Sequence, residues 1–260
     1  MAEPKKSLGQ HWLQDRVILS SIADAAKLDP NDTILEIGPG QGGLTSELLR
    51  RSKRVVAVEF DEDLAAKLPG QFPGKSLDVV NGDVLSFDLD SLPPGYKVVA
   101  NVPYYITSKI VQMLMTANNK PAMTVLLVQK EVAERLAATP GDMSILGISA
   151  QLYAEVTLGD LVPAKFFTPP PKVDSQVIIL KTRLHPLIAI EKEKEFFRVV
   201  KAGFSARRKK LRTSLAGGLG LSKEKVGEVL SGAKISGDQR AQDLSVVEWM
   251  KLREEVYDTK

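Results

Sequence analysis

The 260-residue chain has no cysteine, which excludes disulfides, zinc–thiolate centres and thiol nucleophiles. Its two histidines, His11 and His185, are too few for a histidine-based metal centre, so no metal is expected. No apolar run approaches the ~18 residues of a membrane span, and no membrane association is expected. Met1-Ala2-Glu3-Pro4-Lys5-Lys6 lacks the apolar core of a signal peptide and does not resemble a transit segment, so a cytoplasmic location is expected. A charge surplus of either sign is also nearly absent: 35 Lys/Arg stand against 32 Asp/Glu. The balance is uneven along the chain, however. Residues 186–260 carry 16 Lys/Arg against 11 Asp/Glu, while residues 1–185 carry 19 against 21. The sharpest cluster is Arg207-Arg208-Lys209-Lys210-Leu211-Arg212, five cations in six residues. Such a run can grip phosphates or form a solvated helix face, and charge alone does not choose between them.

Short Val/Ile/Leu-rich runs alternate with helical patterns through the first two-thirds of the chain. Strands are expected at 33–37, 54–58, 77–80, 97–100 and 124–128, with helices near 43–51, 61–68, 107–117 and 130–138. Continuously apolar strands spaced by helices predict a parallel sheet covered on both faces, an α/β fold. Two further strands are expected at 151–158 and 175–182. Between them, Phe166-Phe167-Thr168-Pro169-Pro170-Pro171-Lys172 must be a stiff exposed loop, since three prolines fit neither a helix nor a central strand. Beyond residue 187 only helical patterns remain, at 191–204, 207–215, 222–230 and 245–257, broken at Gly217-Gly218, Gly220 and Ser236-Gly237-Asp238. A boundary near His185-Pro186 separates an α/β domain, 1–185, from a small all-helical domain, 186–260.

The first strand ends in Glu36-Ile37-Gly38-Pro39-Gly40-Gln41-Gly42-Gly43. Glycines permit the tight turn and the approach of backbone amides to a ligand, and a helix N-terminus follows. Gly38, Gly40 and Gly43 match G-x-G-x-x-G, and Glu59 lies 21 residues after Gly38, where an acid can hold ribose hydroxyls. A tight turn without a ligand is the plainer alternative. Nicotinamide dinucleotides and S-adenosylmethionine both carry adenosine and both fit. Asp83, after the third strand, can accept from an adenine amine or simply cap a loop. The fourth strand ends in Asn101-Val102-Pro103-Tyr104. The Asn101 side chain and the Val102 carbonyl can accept hydrogen bonds from an NH2 group, and Tyr104 offers a ring for stacking. A dehydrogenase has no use for that tetrad, whereas a transferase acting on an amine does.

These motifs in this order resemble the small-subunit ribosomal RNA adenine dimethyltransferases, the family linked to kasugamycin sensitivity. The resemblance runs from Leu8-Gly9-Gln10-His11-Trp12-Leu13 through the glycine loop, Gly82-Asp83 and Asn101-Val102-Pro103-Tyr104-Tyr105-Ile106-Thr107. It continues in Phe167-Thr168-Pro169-Pro170-Pro171-Lys172-Val173-Asp174-Ser175 and ends in Phe204-Ser205-Ala206 with the basic run. It implies a Rossmann-like seven-stranded S-adenosylmethionine-dependent methyltransferase sheet in which 175–182 inserts as the antiparallel strand, plus a small all-helical C-terminal domain. By position, His11 and Leu13 would close over the cofactor, with Gly38 at its methionine part, Glu59 at the ribose and Asp83 at the adenine. Asn101 would sit between cofactor and target. Tyr104 and Phe167 would stack on the two faces of the target base, though Phe167 read alone could equally plug the core beneath the loop. Tyr105 is expected to pack, and Trp12 stands where the family usually has Phe. Arg207, Arg208, Lys209, Lys210 and Arg212 would hold RNA phosphates. The implied reaction dimethylates the N6 of two adjacent adenosines in the 3′-terminal hairpin of 16S rRNA in an immature 30S subunit, by a monomer. Three other readings stand beside it. One is a macrolide-resistance methylase of large-subunit rRNA, another a nicotinamide oxidoreductase. The third is a non-catalytic ribosome-assembly checkpoint.

Overall fold

The computed structural model describes residues 10–258; Leu8 and Gly9 of the first motif lie outside them. The described residues form two compact units. One holds residues up to 134 together with 154–183, the other 135–153 together with 184 onward.

The first unit is built on a seven-stranded sheet. Its strands are β2 (Thr33–Ile37), β3 (Arg54–Glu59), β4 (Leu77–Asn81), β5 (Lys97–Asn101), β6 (Met123–Gln129), β7 (Ala154–Val162) and β9 (Ser175–Thr182). They lie in the order β4-β3-β2-β5-β6-β9-β7. The five strands from β2 to β6 are mutually parallel, and β9 runs antiparallel to both β6 and β7. The insertion of 175–182 as an antiparallel strand is therefore observed. Strands β2, β3, β5 and β6 are buried along almost their whole length, as expected of strands covered on both faces. On one face, Leu19, Ile22 and Ala23 of α1 (Arg16–Ala25) join Leu44 and Leu48 of α2 (Gly43–Leu49) in a core with Ile34, Val99, Val125 and Leu127. The remaining helices of this unit are α3 (Glu62–Gln71), α4 (Thr107–Thr116) and the start of α5 (Lys130–Leu136). A separate two-stranded pair joins β1 (Trp12–Leu13) to β8 (Phe167–Thr168) with Leu13 opposite Phe167.

The second unit collects α6 (Ile145–Tyr153), α7 (Glu193–Phe204), α8 (Leu211–Leu219), α9 (Lys223–Gly232) and α10 (Val246–Tyr257). Helix α6 packs on α7 and α10, so 135–153 groups with the C-terminal helices although it precedes two strands of the sheet. The expected 1–185 block does not anticipate that excursion. Of the strand expected at 151–158, residues 154–158 lie in β7, while 151–153 form the end of α6. Ile145-Leu146-Gly147-Ile148-Ser149-Ala150-Gln151-Leu152 is apolar on nearly every side, and such a run carries no period to separate helix from strand. Arg253 is almost fully buried and donates to Glu195 and to Asp258, the latter at 2.5 Å, tying α10 to α7. These acceptors hold its guanidinium charged despite burial, its pKa raised above the ordinary arginine value. Ser245 and Glu248 form a reciprocal capping box at the start of α10.

Gly217 and Gly218 lie within α8 and do not break it; Gly220, at φ +70°, terminates the helix. Gly218 is there for contact. An added Cβ would lie 2.5 Å from the Ala202 Cα of α7, so the two backbones meet where only a hydrogen fits. Gly218→Ala is expected to lose roughly 1–3 kcal/mol to overpacking, although alanine is the better helix former by ~1 kcal/mol. Urea denaturation of parent and variant measures this; an unchanged or raised midpoint would show that α7 and α8 separate at no cost.

Candidate active site

Parallel strands end at a common edge, and the side chains that carry chemistry stand there. The sheet order reverses between β2 and β5, the switch point where open α/β sheets bind ligands. A cavity of about 350 Å³ opens there. Gly38 and Gly40 after β2, Glu59 at the end of β3, Asp83 after β4, Asn101 at the end of β5, and then Tyr104 all line it. His11 and Leu13 of the N-terminal segment line it as well. Gly38 and Gly40 adopt φ of +66° and +56°, open to glycine and strained for other residues. A Cβ on Gly38 would meet nothing within 4 Å, so the loop leaves room that a ligand can take.

Glu59 braces this loop. Its Oε2 accepts from the Gly40 amide at 3.0 Å and its Oε1 from the Asp61 amide at 2.9 Å. Burial pushes its pKa up, and these two amides partly offset that. Asp83 is exposed and accepts from the Leu85 amide at 2.9 Å through Oδ1. It therefore caps its loop, as the plainer reading expected, and also lines the cavity.

Asn101 donates from Nδ2 to the His11 carbonyl at 3.3 Å. That bond commits the amide nitrogen to the protein and leaves Oδ1 as the acceptor of a cavity-lining residue. His11 Nδ1 lies 2.7 Å from the Pro169 carbonyl and can only donate to it. The imidazole stacks against Tyr104, ring centroids 5.7 Å apart and planes 20° from parallel. The Tyr104 hydroxyl is 2.7 Å from Ser175 Oγ, a fully buried group at the start of β9; burial raises the phenol's pKa.

Phe167 is not part of this cavity. It is 3% exposed and sits in the core with Leu13, Leu19 and Ile22. Its β1–β8 pairing with Leu13 turns the ring inward, so the role expected of it opposite Tyr104 is corrected to that of a core plug. Tyr105, expected to pack, is 66% exposed at the cavity rim. Phe60 likewise lines the rim with 62% of its surface exposed; its place directly after the strand-end acid was the available signal. Ser175 stood inside a quoted motif, but nothing in the sequence linked it to Tyr104. Trp12 also lines the cavity, and its indole nitrogen is buried without a partner.

Glu36 is the other residue that sequence reasoning passed over. It is 1% exposed, lines the cavity beneath the glycine loop, and leaves Oε2 without a hydrogen-bond partner. Its pKa is raised to about 8, chiefly by burial, with neighbouring Thr45 opposing the shift and the Glu59 charge reinforcing it. A dinucleotide would lay its pyrophosphate against this loop, where Glu36 and Glu59 instead place carboxyl groups.

The basic run is divided. Arg207, Arg208 and Lys209 occupy a turn, and α8 begins only at Leu211, four residues later than the expected helix start at 207. Lys210 and Arg212 pair with Asp238 at 3.1 and 2.8 Å. The other three have no partner among the described residues. All five are exposed.

Among the described residues, no group of three or more His, Asp or Glu could hold a metal ion, and no helix is long and apolar enough to cross a membrane. The sheet and its strand-end cavity define a Rossmann-like methyltransferase. The model of the ribosomal RNA adenine dimethylase family matches residues 1–256. Small-subunit ribosomal RNA methyltransferase A of Desulfitobacterium hafniense is 43% identical over 98% of this chain and 93% of its own. The protein of that name from Dehalococcoides mccartyi strain CBDB1 is 41% identical over 95% and 87%. A dimethyladenosine transferase from Plasmodium falciparum superposes with a TM-score of 0.81 at 28% identity, covering 93% of this chain and 96% of its own. The 23S rRNA methyltransferase ErmE does so at 0.79 and 29%, covering 94% and 98%. The chain belongs to the ribosomal RNA adenine dimethylase family, and it is an rRNA adenine dimethyltransferase.

The Glu36 carboxyl gives a pH signature. Its folded pKa of about 8 stands above the ordinary value of 4.5, so the folded state holds the extra proton. Its stabilising contribution is full below pH 4.5 and is lost as pH rises through 8. In denaturant titrations of ligand-free protein, Glu36→Gln is expected to gain on the parent progressively across that window. A constant difference between the two would place the Glu36 titration elsewhere.

Proposed function

We propose that the strand-end cavity binds S-adenosylmethionine and that the acceptor is the N6 of two adjacent adenosines in the 3′-terminal hairpin of 16S rRNA, within an immature 30S subunit. The orientation of Asn101, nitrogen on the His11 carbonyl and oxygen free, is the observation that carries this reading. The residues present fit the donor. Gly38 leaves room at the loop, Glu59 and Asp83 suit the ribose and the adenine amine, and exposed Phe60 offers the adenine a face. The unpartnered Oε2 of Glu36 suits an ammonium group. When bound, S-adenosylmethionine supplies an electrophilic methyl group on a cationic sulfur.

The amine of adenine is a poor nucleophile because its lone pair is delocalised into the ring. Asn101 Oδ1 and the Val102 carbonyl accept from its two N–H bonds and favour a pyramidal nitrogen, which frees the lone pair. Asn101 is neutral and acts by orientation and electrostatics rather than as a base. Alignment of reactants can save ~7–11 kcal/mol of barrier. Tyr104 stacks on the flipped-out base, its plane fixed by Ser175. His11 stacks on one face of Tyr104, so the base takes the other face of the ring or displaces the imidazole. The proton leaves to water after transfer. His11 and Leu13 close the cofactor end of the cavity.

Arg207, Arg208 and Lys209 grip rRNA phosphates, with Lys210 and Arg212 weakened by Asp238. The chain acts as a cytoplasmic monomer in the helical and α/β units described. The 41–43% identity to small-subunit enzymes, against 29% to ErmE, supports the small subunit as substrate; mass mapping of adenosines in both rRNAs, with and without the protein, tests it. A product on 23S rRNA alone would overturn it.

Asn101→Ala is expected to slow single-turnover methyl transfer by about a hundredfold or more while binding subunits as the parent does. Equal rates would remove Asn101 from the reaction. Neutralising Arg207, Arg208 and Lys209 together should flatten the salt dependence of subunit binding by roughly two to three logarithmic units of slope, and neutralising Lys210 with Arg212 by less. Equal effects would show that Asp238 releases its partners on binding.

A further inference from the structure

The second unit has a cavity of its own, about 200 Å³ in volume. Three distant stretches wall it. Arg135 comes from the end of α5, Asp142 and Ser144 from the loop before α6, Phe204 and Arg207 from the end of α7 and the turn after it, and Gln242 from the segment before α10. The wall is fixed in place. The Gln242 carbonyl accepts from the Gly141 and Met143 amides at 3.0 and 3.1 Å, and its Nε2 donates to the Gly141 carbonyl at 2.6 Å. Ser144 Oγ accepts from the Gly147 amide at 3.1 Å and sets the first turn of α6. The half-buried Phe204 ring rests on buried Trp249, centroids 5.8 Å apart.

Arg135 and Arg207 are exposed in this wall, and among the described residues neither has an ion-pair or hydrogen-bond partner. Asp142 is the one carboxylate beside them and pairs with neither. The contrast is with Lys210 and Arg212, which Asp238 neutralises. Guanidinium forks match phosphate oxygens, and an adjoining aromatic face suits a base.

We propose that this cavity captures one nucleotide of the substrate RNA, its phosphate between Arg135 and Arg207 and its base against Phe204. This rests on the reading of the chain as an rRNA methyltransferase. It also accounts for the 135–153 excursion, which carries a second arginine to the basic turn.

The test is equilibrium binding of the full chain to methylation-deficient 30S subunits across a salt series, with thermal midpoint and S-adenosylmethionine affinity as folding controls. Arg135→Gln is expected to weaken binding about tenfold and to lower the salt slope by about one. Paired with Arg207→Gln it should fall short of additivity, because both hold one phosphate, whereas paired with Arg208→Gln it should add. Phe204→Leu keeps an apolar contact on Trp249 and should weaken binding about tenfold through lost stacking. If Arg135→Gln binds with the parent's affinity and slope while Arg208→Gln is weakened, the cavity is no nucleotide site and the basic turn keeps its role. Full additivity of Arg135→Gln with Arg207→Gln likewise overturns the shared phosphate. If Arg207→Gln and Arg208→Gln also bind as the parent does, the phosphate grip proposed for the basic turn falls with it.

Discussion

Asn101 gives its amide hydrogens to the carbonyl of His11, and the geometry around the proposed acceptor depends on that bond. An amide side chain is ambiguous until something claims one end of it. Here backbone claims the nitrogen, so the oxygen is left as an acceptor at the cavity. The same bond fastens the N-terminal segment to the end of β5. His11 passes the tie on through its ring nitrogen to Pro169, and the β1–β8 pairing fastens the adjoining residues. Tyr104 reaches β9 through Ser175. Three remote parts of the sequence thus define one corner through a few polar contacts, with apolar packing beneath them.

The charge the cavity welcomes follows from burial. A glycine loop after a first strand serves anionic and cationic ligands alike, because backbone amides and open φ values do not discriminate. A buried, unpartnered carboxyl beneath that loop does. Glu59 spends its lone pairs partly on the loop's own amides, whereas Glu36 has an oxygen with nothing to accept from. A buried acid in that position stays protonated until a positive group arrives, and a positive group is the partner its ionised form can hold. The distinction between a dinucleotide and a sulfonium-bearing donor therefore lies in a residue that the G-x-G-x-x-G pattern does not contain.

The sheet was legible because its strands are continuous Val/Ile/Leu runs, and buried parallel strands admit little else. The strand-end residues were legible for the same reason: once the strands are placed, their final residues share an edge. What escaped depended on contacts distant in sequence. Phe167 was placed opposite Tyr104 because both are aromatic and flank the reaction in the resembled family. Its pairing with Leu13, across more than half the chain, turns it into the core instead. The strand expected at 151–158 starts three residues late, at Ala154, since an all-apolar helix end reads like a strand start. The double glycine of α8 looked like a break and is not one; its second member, Gly218, is a helix contact, visible only once α7 is beside it. The basic run is not the single helix face expected: its first three cations precede α8, and Asp238 pairs with the other two.

The excursion of 135–153 also sets an order of assembly. The chain emerges N-terminus first, so α6 is made before β7 and β9 complete the sheet and well before α7 and α10 exist. It has buried residues, Ile148 and Leu152 among them, and it packs on α7 and α10, which end about fifty and a hundred residues later. At translation rates of ~5–20 residues per second, α6 waits on the order of ten seconds for the last of these partners. Truncation after β9 would remove α7 and α10, the helices on which α6 packs.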